Sequence, residues 1–367
     1  RPPVALSKLN NDSFDDTAVH GRRNLIINGA MKVAQRSTSV TSITGSGYHT
    51  MDRWKIDLSN LGTWSFSQSS TAPDGFANSY KLDCTTADAS PAAGDYLILQ
   101  QRFEGQNLQM LKKGTSAAES VTVSFSIRSS VTGTYTCELY DDDNGRYIGK
   151  TFTVDAADTW ERKAITFPGD TTGTLNDDNG LSLFCQIWFG AGSNFNGGTF
   201  NNGTWGAGGN NTRVSSSNVN LASSTSNEAY VTGWQMEVGD KATPFEHRSF
   251  TEELALCQRY AWKLGGFGSD QYFGAPWLYF DGNNIHNGPF FNPVQMRTSP
   301  SLTQYGTPIL KNNGGAQSGF SFSMQGGGKD QCFSIQGAKT SHGLSNVPTV
   351  CLNSPTTSDF FLIDAEL

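Results

Sequence analysis

The chain of 367 residues has a formal net charge of −7 at pH 7, and only 16% of its residues are charged. Without a block of lysine or arginine it offers no basic surface for a nucleic acid, and no apolar run reaches the roughly 18 residues that a membrane-spanning helix needs. Its 23 Phe, 11 Tyr and 8 Trp exclude a disordered chain, while its length and its many Gly, Ser, Thr and Asn residues predict two domains of short strands and turns.

The first 248 residues divide into a polar start and a strand-rich region. Residues 1–23 are polar and Pro-flanked, which predicts an N-terminal linker or a stalk contact. Residues 24–248 hold strand candidates at roughly ten-residue spacing, separated by Gly, Asn and Asp. Apolar and polar side chains alternate strictly in the run VTVSFSI (121–127), as in a strand with one buried face. We therefore predict a jelly-roll β-sandwich over residues 24–248.

A helix is predicted over residues 249–265, between two β regions. Ser249 and Glu252 have the spacing of an N-terminal capping box. The apolar residues that follow at helical spacing, before a terminal glycine, are Leu254, Cys257, Ala261 and Leu264. We expect three to four turns that bridge two domains, with the aromatic strands of residues 266–367 forming a smaller distal β-sandwich. The predicted fold class is all-β.

One acidic phrase occurs twice, as DDDNG at 141–145 and as NDDNG at 176–180. Asn-Gly is the dipeptide of a type I′ hairpin turn, which we expect for the first phrase because strand-like sequence flanks it on both sides. A loop calcium site with remote ligands is the alternative, and its donors would be Asp141, Asp142, Asp177 and Asp178. Neither phrase has the acid that an EF-type loop needs at its twelfth position. Neighbouring Asp residues on a turn also point apart, so a catalytic pair is not predicted.

Ligand contact is predicted for two aromatic segments. The loop 190–213 is too rich in Gly to form a core, yet it places aromatic rings among Asn side chains, as sugar-binding sites do. Its candidate residues are Phe195, Phe200, Asn201, Asn202 and Trp205. The run DQYFGAPWLYF adds Tyr272 and Trp277. The alternatives are that the loop aromatics fold back onto the sandwich or a neighbouring subunit, and that the second run packs as a strand.

Signals for enzymatic chemistry and for cofactors are weak. The six cysteines are far apart without a CxxC pair, which favours buried free thiols and an assembly site that keeps them reduced. The five His residues show no HExxH spacing, and no G-x-S-x-G elbow appears between a strand and a helix. The sequence therefore predicts a protein that is not an enzyme and that needs no cofactor.

Three separated blocks resemble the framework of bacteriophage tail-fibre and tail-spike proteins, which contain a domain similar to jelly-roll carbohydrate-binding modules. In chain order the blocks are NLIINGAMKVAQRSTS, GYHTMDRWKI and WQMEVGDKATPFEHRSFTEELALCQRY. They lie within residues 24–263, about two thirds of the chain, and their common order makes the resemblance specific. The later run FNPVQMRTSPSLT resembles the distal β domain of those proteins more weakly.

The resemblance implies a non-catalytic virion protein of the tail fibre that is assembled in the host cytoplasm. Its expected partners are a host-surface glycan and other tail proteins, and it would form a homotrimer whose weak sites act together. Two alternatives stay open: a structural virion component of a collar, baseplate or capsid fibre, and a polysaccharide depolymerase. The resemblance supplies no binding residues, and no catalytic motif of depolymerase-type spikes matches this sequence.

Overall fold

The computed structural model describes most of the chain, in the ranges 22–266, 268, 271–273, 278–281, 283–312, 315–326, 329–340 and 351–367. The fold is all-β, with antiparallel sheets in a sandwich-like arrangement that is consistent with the predicted jelly roll. All but the last two residues of the predicted linker 1–23 lie outside the described residues. Within them, no helix is long and apolar enough to cross a membrane.

Ten strands make up the first part of the chain: β1 (Ser39–Gly47), β2 (Lys55–Ser69), β3 (Ser79–Thr86), β4 (Tyr96–Glu104), β5 (Val121–Ser129), β6 (Gly133–Asp141), β7 (Arg146–Val154), β8 (Glu161–Phe167), β9 (Leu181–Ala191) and β10 (Glu228–Val238). They pair in the order β7-β6-β9-β4-β2-β3-β10-β5-β8, and β1 also pairs with β2. Among the described residues, four short 3₁₀ helices lie in the loops: Gly105–Asn107, Gln109–Leu111, Asn210–Thr212 and Leu221–Ser223.

The long strand β2 joins two layers. Its first half (55–60) pairs with β4 and its second half (63–69) with β3, and Asn60 and Gly62 have positive φ between the halves. The front layer is β7, β6, β9, β4 and the first half of β2; the back layer is the second half of β2 with β3, β10, β5 and β8. Phe125 of β5 lies 5.1 Å from Phe152 of β7, so the two layers meet across one core.

The alternation predicted for β5 is confirmed on its inner side, where Val123 and Phe125 are fully buried. The polar side of β5 is also buried, which differs from the half-buried strand that we expected. The segment after β10 causes this difference because it lies over that side of β5. Thr122 Oγ1 donates to the Gly239 carbonyl at 2.8 Å.

The first acidic phrase forms a hairpin loop, as predicted, because β6 and β7 pair up to Asp141 and Arg146. The predicted two-residue type I′ turn is wrong. The loop has the four residues 142–145, and of its Asn-Gly pair only Gly145 has positive φ, at 61°. The Asp141 carboxylate stabilises this longer loop by accepting hydrogen bonds from Asn144 N at 3.1 Å and Asn144 Nδ2 at 2.9 Å.

The predicted helix 249–265 is too long. Its start is confirmed, since Ser249 Oγ accepts a hydrogen bond from Glu252 N at 3.3 Å, but helix α2 spans only Phe250–Gln258. A strand, β11 (Ala261–Gly265), follows because it pairs with β21 (Phe360–Asp364). In this pairing the backbone N–H and C=O groups of β11 find hydrogen-bond partners on β21. The side chains of Trp262 and Leu264 are buried.

The remaining strands between β11 and β21 are short: β12 (Gln271–Phe273), β13 (Leu278–Asp281), β14 (Asn284–Phe291), β15 (Ser301–Tyr305), β16 (Ile309–Asn312), β17 (Gly315–Gln317), β18 (Ser321–Gln325), β19 (Cys332–Ala338) and β20 (Cys351–Ser354). They form three antiparallel sheets, β11-β21-β15, β12-β20-β16-β17 and β13-β14-β19-β18. Their shared core includes Ile285, Phe333, Leu352 and Phe361, and it is a cluster separate from that of β1 to β10.

The cysteines that the structure describes are free thiols. As predicted, most of them are buried: Cys84, Cys137, Cys185 and Cys257. Cys332 is half-buried. Burial raises the pKa of the Cys84 thiol to about 11, so this group stays protonated at neutral pH.

Candidate functional site

A cleft lies on the outer face of the front layer. Residues that pair across neighbouring strands point to the same side of a sheet, so the registers arrange the outward side chains in rows. One row runs Asp57–Ile98–Trp188–Thr136, the next Lys55–Gln100–Gln186–Glu138, and the third Arg102–Phe184–Tyr140–Tyr147. The intervening residues of the same strands, such as Leu99 and Ile187, fill the core.

The cleft has a cavity volume of about 190 Å³. Its floor comes from β2, β4, β6 and β9, and one wall comes from the loop 190–213. Aromatic, amide and charged side chains line it together: Asp57, Tyr96, Ile98, Gln100, Arg102, Tyr140, Phe184, Gln186, Trp188, Phe195 and Arg213. A concave site with this mixture can contact both the apolar faces and the hydroxyl groups of a bound molecule.

Aromatic rings form one end of the cleft. Phe195, on the short helix α1 (Ser193–Asn196), has its ring centroid 5.1 Å from Tyr96 and 5.3 Å from Trp188. Its carbonyl accepts a hydrogen bond from Val214 N at 3.0 Å, which fixes the helix against the returning chain. Trp188 is fully buried, whereas Tyr96 and Phe195 are half-buried and present part of their rings to solvent.

Glu138 organises the middle of the cleft floor. Its fully buried carboxylate accepts hydrogen bonds from Arg213 Nε at 2.8 Å, Arg213 Nη2 at 3.0 Å, Trp188 Nε1 at 2.8 Å and Gln186 Nε2. Burial alone would lower the pKa of Arg213, but the Glu138 charge outweighs it and raises that pKa. The guanidinium therefore stays charged, 4.6 Å above the Tyr140 ring.

Two further charged side chains, Asp57 and Arg102, line the cleft. Asp57 accepts hydrogen bonds from Ser46 Oγ at 2.7 Å and Gln100 Nε2 at 3.2 Å. Arg102 lies 4.8 Å from the Phe184 ring centroid and donates from Nη1 to the Leu367 carbonyl at 3.0 Å.

The predicted loop residues do not gather at one site. Phe195 lines the cleft, whereas Phe200 packs over Gly149 of β7. Trp205 is half-buried against the core and donates from Nε1 to the Pro168 carbonyl at 2.7 Å.

The rest of the loop covers the outer edge of β7. Asn201 N donates to the Thr212 carbonyl at 2.9 Å, Asn202 bridges to Gly149, and Gly203 N donates to the Gly149 carbonyl at 2.7 Å. Most of the loop thus folds back onto the sandwich and pairs an edge strand that would otherwise be open.

The two candidates in the distal part are not placed at a site. Tyr272 lies in β12, but its side chain is outside the described residues. Trp277 also lies outside them.

The four Asp residues of the calcium alternative do not form a metal site. Asp141 is fully buried and accepts a hydrogen bond from Lys113 Nζ, so a lysine neutralises its charge. Asp178 Oδ1 accepts from Gly180 N at 2.8 Å, as in a turn, and Asp142 and Asp177 are exposed. Over the described ranges, no group of three or more His, Cys, Asp or Glu residues could hold a metal ion.

Sequence reasoning missed most of the cleft. The missed residues are Asp57, Tyr96, Ile98, Gln100, Arg102, Tyr140, Phe184, Gln186, Trp188 and Arg213. A usable signal exists in the strands β4, β6 and β9. Each of them carries an amide or carboxylate in mid-strand, with an aromatic, aliphatic or arginine side chain two positions away on at least one side, as at Phe184, Gln186 and Trp188.

No protein-family model matches the chain, and no curated protein matches its sequence. Among solved structures, the enzymatically active domain of tailspike protein 4 from bacteriophage CBA120 aligns with 59% of this chain at 10% identity and a TM-score of 0.31. The chain spans only 21% of that tailspike structure.

Two carbohydrate-binding modules align over a similar region. The CBM22-1 xylan-binding domain of Paenibacillus barcinonensis Xyn10C covers 56% of this chain and 94% of its own, at 10% identity and a TM-score of 0.26. The family 11 module from Clostridium thermocellum, solved with a β-1,3-1,4-mixed-linked tetrasaccharide, covers 57% and 99%, at 10% identity and a TM-score of 0.26. Scores this low leave function to be argued from the cleft itself.

Proposed function

We propose that this chain is a non-catalytic glycan-binding protein and that the front-layer cleft holds the saccharide. The observation that carries the proposal is the combination of half-exposed aromatic rings and hydrogen-bonding side chains on one rigid sheet face. Tyr96 and Phe195 offer apolar faces for the C–H surface of a sugar ring. The half-buried Arg102 offers N–H donors for hydroxyl groups, and the Asp57 carboxylate can accept through the lone pairs that Ser46 and Gln100 leave open.

A binding role fits the carboxylates of the cleft better than a hydrolytic one. Glycoside hydrolysis commonly needs one carboxyl group as an acid and a second as a base or nucleophile. The cleft is lined by Asp57, and Glu138 lies beneath it, but the oxygens of Glu138 are occupied by Arg213, Trp188 and Gln186. This arrangement supports recognition without cleavage.

The resemblance to phage tail fibres supports a more specific role in adsorption to a host surface. In that role the chain would act as a homotrimer beside other tail proteins, and three modest sites engaged together would bind much more tightly than one. The same cleft in a structural virion component would have no ligand, so binding experiments separate the two roles.

The proposal is tested with an array of bacterial surface polysaccharides and with two variants, Tyr96→Ala and Phe195→Ala. Each removes one stacking ring at a cost of about 1 kcal/mol, so we expect roughly five-fold weaker binding. Tyr305→Ala and Phe291→Ala are matched controls, because these exposed rings lie in the distal strands. They should leave binding unchanged.

Two results would contradict the proposal. The first is the absence of binding to any polysaccharide, which would favour a structural role. The second is the release of reducing ends from a bound polysaccharide during incubation, which would favour a depolymerase.

A further inference from the structure

The charges of the cleft are unevenly distributed. Arg102 and Lys55 lie on the cleft face of neighbouring strands, since Lys55 pairs with Gln100, two residues before Arg102. Within the described residues neither side chain forms an ion pair, in contrast to Arg213, which is paired with Glu138. The Arg102 end of the cleft thus holds two cations that form no ion pair among the described residues, with Asp57 near Lys55 and Asp142 near Arg102.

The Arg102 side chain keeps unused donors. Of its guanidinium nitrogens, only Nη1 has a hydrogen bond in the described part of the chain, to the Leu367 carbonyl at 3.0 Å. The Nε atom is buried and has no partner. The Nη2 group likewise has no acceptor among the described residues, so it can donate to a ligand oxygen without breaking an existing hydrogen bond.

The Lys55 ammonium group is close enough to the Arg102 guanidinium for the two positive charges to repel each other. Burial lowers the pKa of its ammonium group, and the Arg102 charge lowers it further. Asp57 opposes this effect, but its oxygens already accept from Ser46 and Gln100. The nearby Asp142 is exposed and forms no ion pair with Arg102 within the described ranges. An incoming anion would therefore relieve the repulsion between Arg102 and Lys55.

We infer that the cleft selects an anionic saccharide, whose carboxylate or phosphate group binds between Arg102 and Lys55 while another sugar ring of the same saccharide lies on Tyr96 and Phe195. This inference rests on the proposed function, and it adds the chemical class of the ligand. The planar guanidinium fork matches both carboxylate and phosphate oxygens, and the ammonium group adds a second positive charge. A neutral glycan would leave the charged end of the cleft without a partner.

The test uses the same array, with each acidic polysaccharide printed beside its carboxyl-reduced or dephosphorylated form. We expect the intact anionic forms to bind, and removal of the anionic group to weaken binding by about ten-fold or more. The two treated forms distinguish carboxylate from phosphate as the recognised group. Binding should also weaken several-fold when salt is raised from about 0.05 M to about 0.5 M.

Substitutions at Lys55 and Arg102 test whether these two side chains bind the anionic group. Lys55→Gln removes a charge that has no partner to lose, so its fold should be unaffected, and we expect about ten-fold weaker binding to the anionic form. Arg102→Gln should act in the same way, and Arg102→Lys should restore part of the affinity because it keeps the charge. Lys112→Gln is the control, because Lys112 is exposed and pairs with Glu119 outside the cleft.

The outcomes separate the inference from the proposed function. If no polysaccharide binds, both are wrong. If neutral glycans bind as well as anionic ones, or if Lys55→Gln and Arg102→Gln bind like the wild type, the cleft is a glycan site but the inference is overturned.

Discussion

Replacement of Glu138 by Gln is expected to destabilise the sandwich strongly, because Glu138 is the buried acceptor that holds the cleft floor together. The change conserves shape, so no cavity forms, but it removes the charge that Arg213 requires. It also turns an amide N–H₂ group toward donors on Arg213, Trp188 or Gln186. Both effects leave buried polar groups without suitable partners.

The expected loss in the free energy of unfolding follows from how deeply the Glu138–Arg213 ion pair is buried. The Glu138 side chain is 0% exposed and the Arg213 side chain 14%. Removal of one partner from a buried ion pair costs about 3–5 kcal/mol, and the residual exposure of Arg213 places the expected loss near the lower value, about 3 kcal/mol.

Urea unfolding followed by tryptophan fluorescence measures this loss as a fall in the unfolding midpoint. The matched control is Glu119→Gln, which breaks a pair with Lys112 whose side chains are 38% and 54% exposed. Such a surface pair is worth less than about 1 kcal/mol. If Glu138→Gln lost no more stability than Glu119→Gln, the role given to Glu138 would be wrong.

Two further predictions concern other contacts of the sandwich. Burial raises the pKa of Glu104, but hydrogen bonds from Arg259 and Tyr260 outweigh it and hold that pKa below its ordinary value of 4.5. The ionised Glu104 carboxylate therefore adds stability above about pH 4.5, and this stability is lost as the pH falls through the lowered pKa. Glu104→Gln should make the melting temperature less dependent on pH in that window. If the melting temperature of the variant fell with decreasing pH as steeply as that of the wild type, the prediction would be wrong. A Cβ at Gly149 would lie 2.6 Å from Phe200 Cε2, so Gly149→Ala should cost about 1–3 kcal/mol in urea unfolding, and a neutral result would show that Phe200 does not pack there.

The strands could be predicted from the sequence because they depend on local patterns, namely the alternation of apolar and polar residues and the turn residues between strands. Val123 and Phe125 face the core as their spacing indicates, and the acidic phrase at 141–145 joins two strands. The end of helix α2 could not be predicted, because residues 261–265 become a strand only through their pairing with β21, about a hundred residues later.

The cleft was difficult to predict for the same reason. Phe184 and Trp188 lie in an apolar run that is typical of a buried strand, and nothing local shows which face is outward. Their place beside Tyr140 and Ile98 depends on the pairing of β9 with both β6 and β4, which are distant in the sequence. Phe195 was found because aromatic residues in a Gly-rich loop stand out without knowledge of the register.

The most direct test of the central claim is a structure of the chain bound to an oligosaccharide from the polysaccharide that binds most tightly in the array. We predict that the sugar lies in the front-layer cleft, with one ring against Tyr96 and Phe195 and an anionic group at Arg102 and Lys55. A sugar bound instead at Trp205 or on the distal sheets, with the cleft empty, would contradict the account.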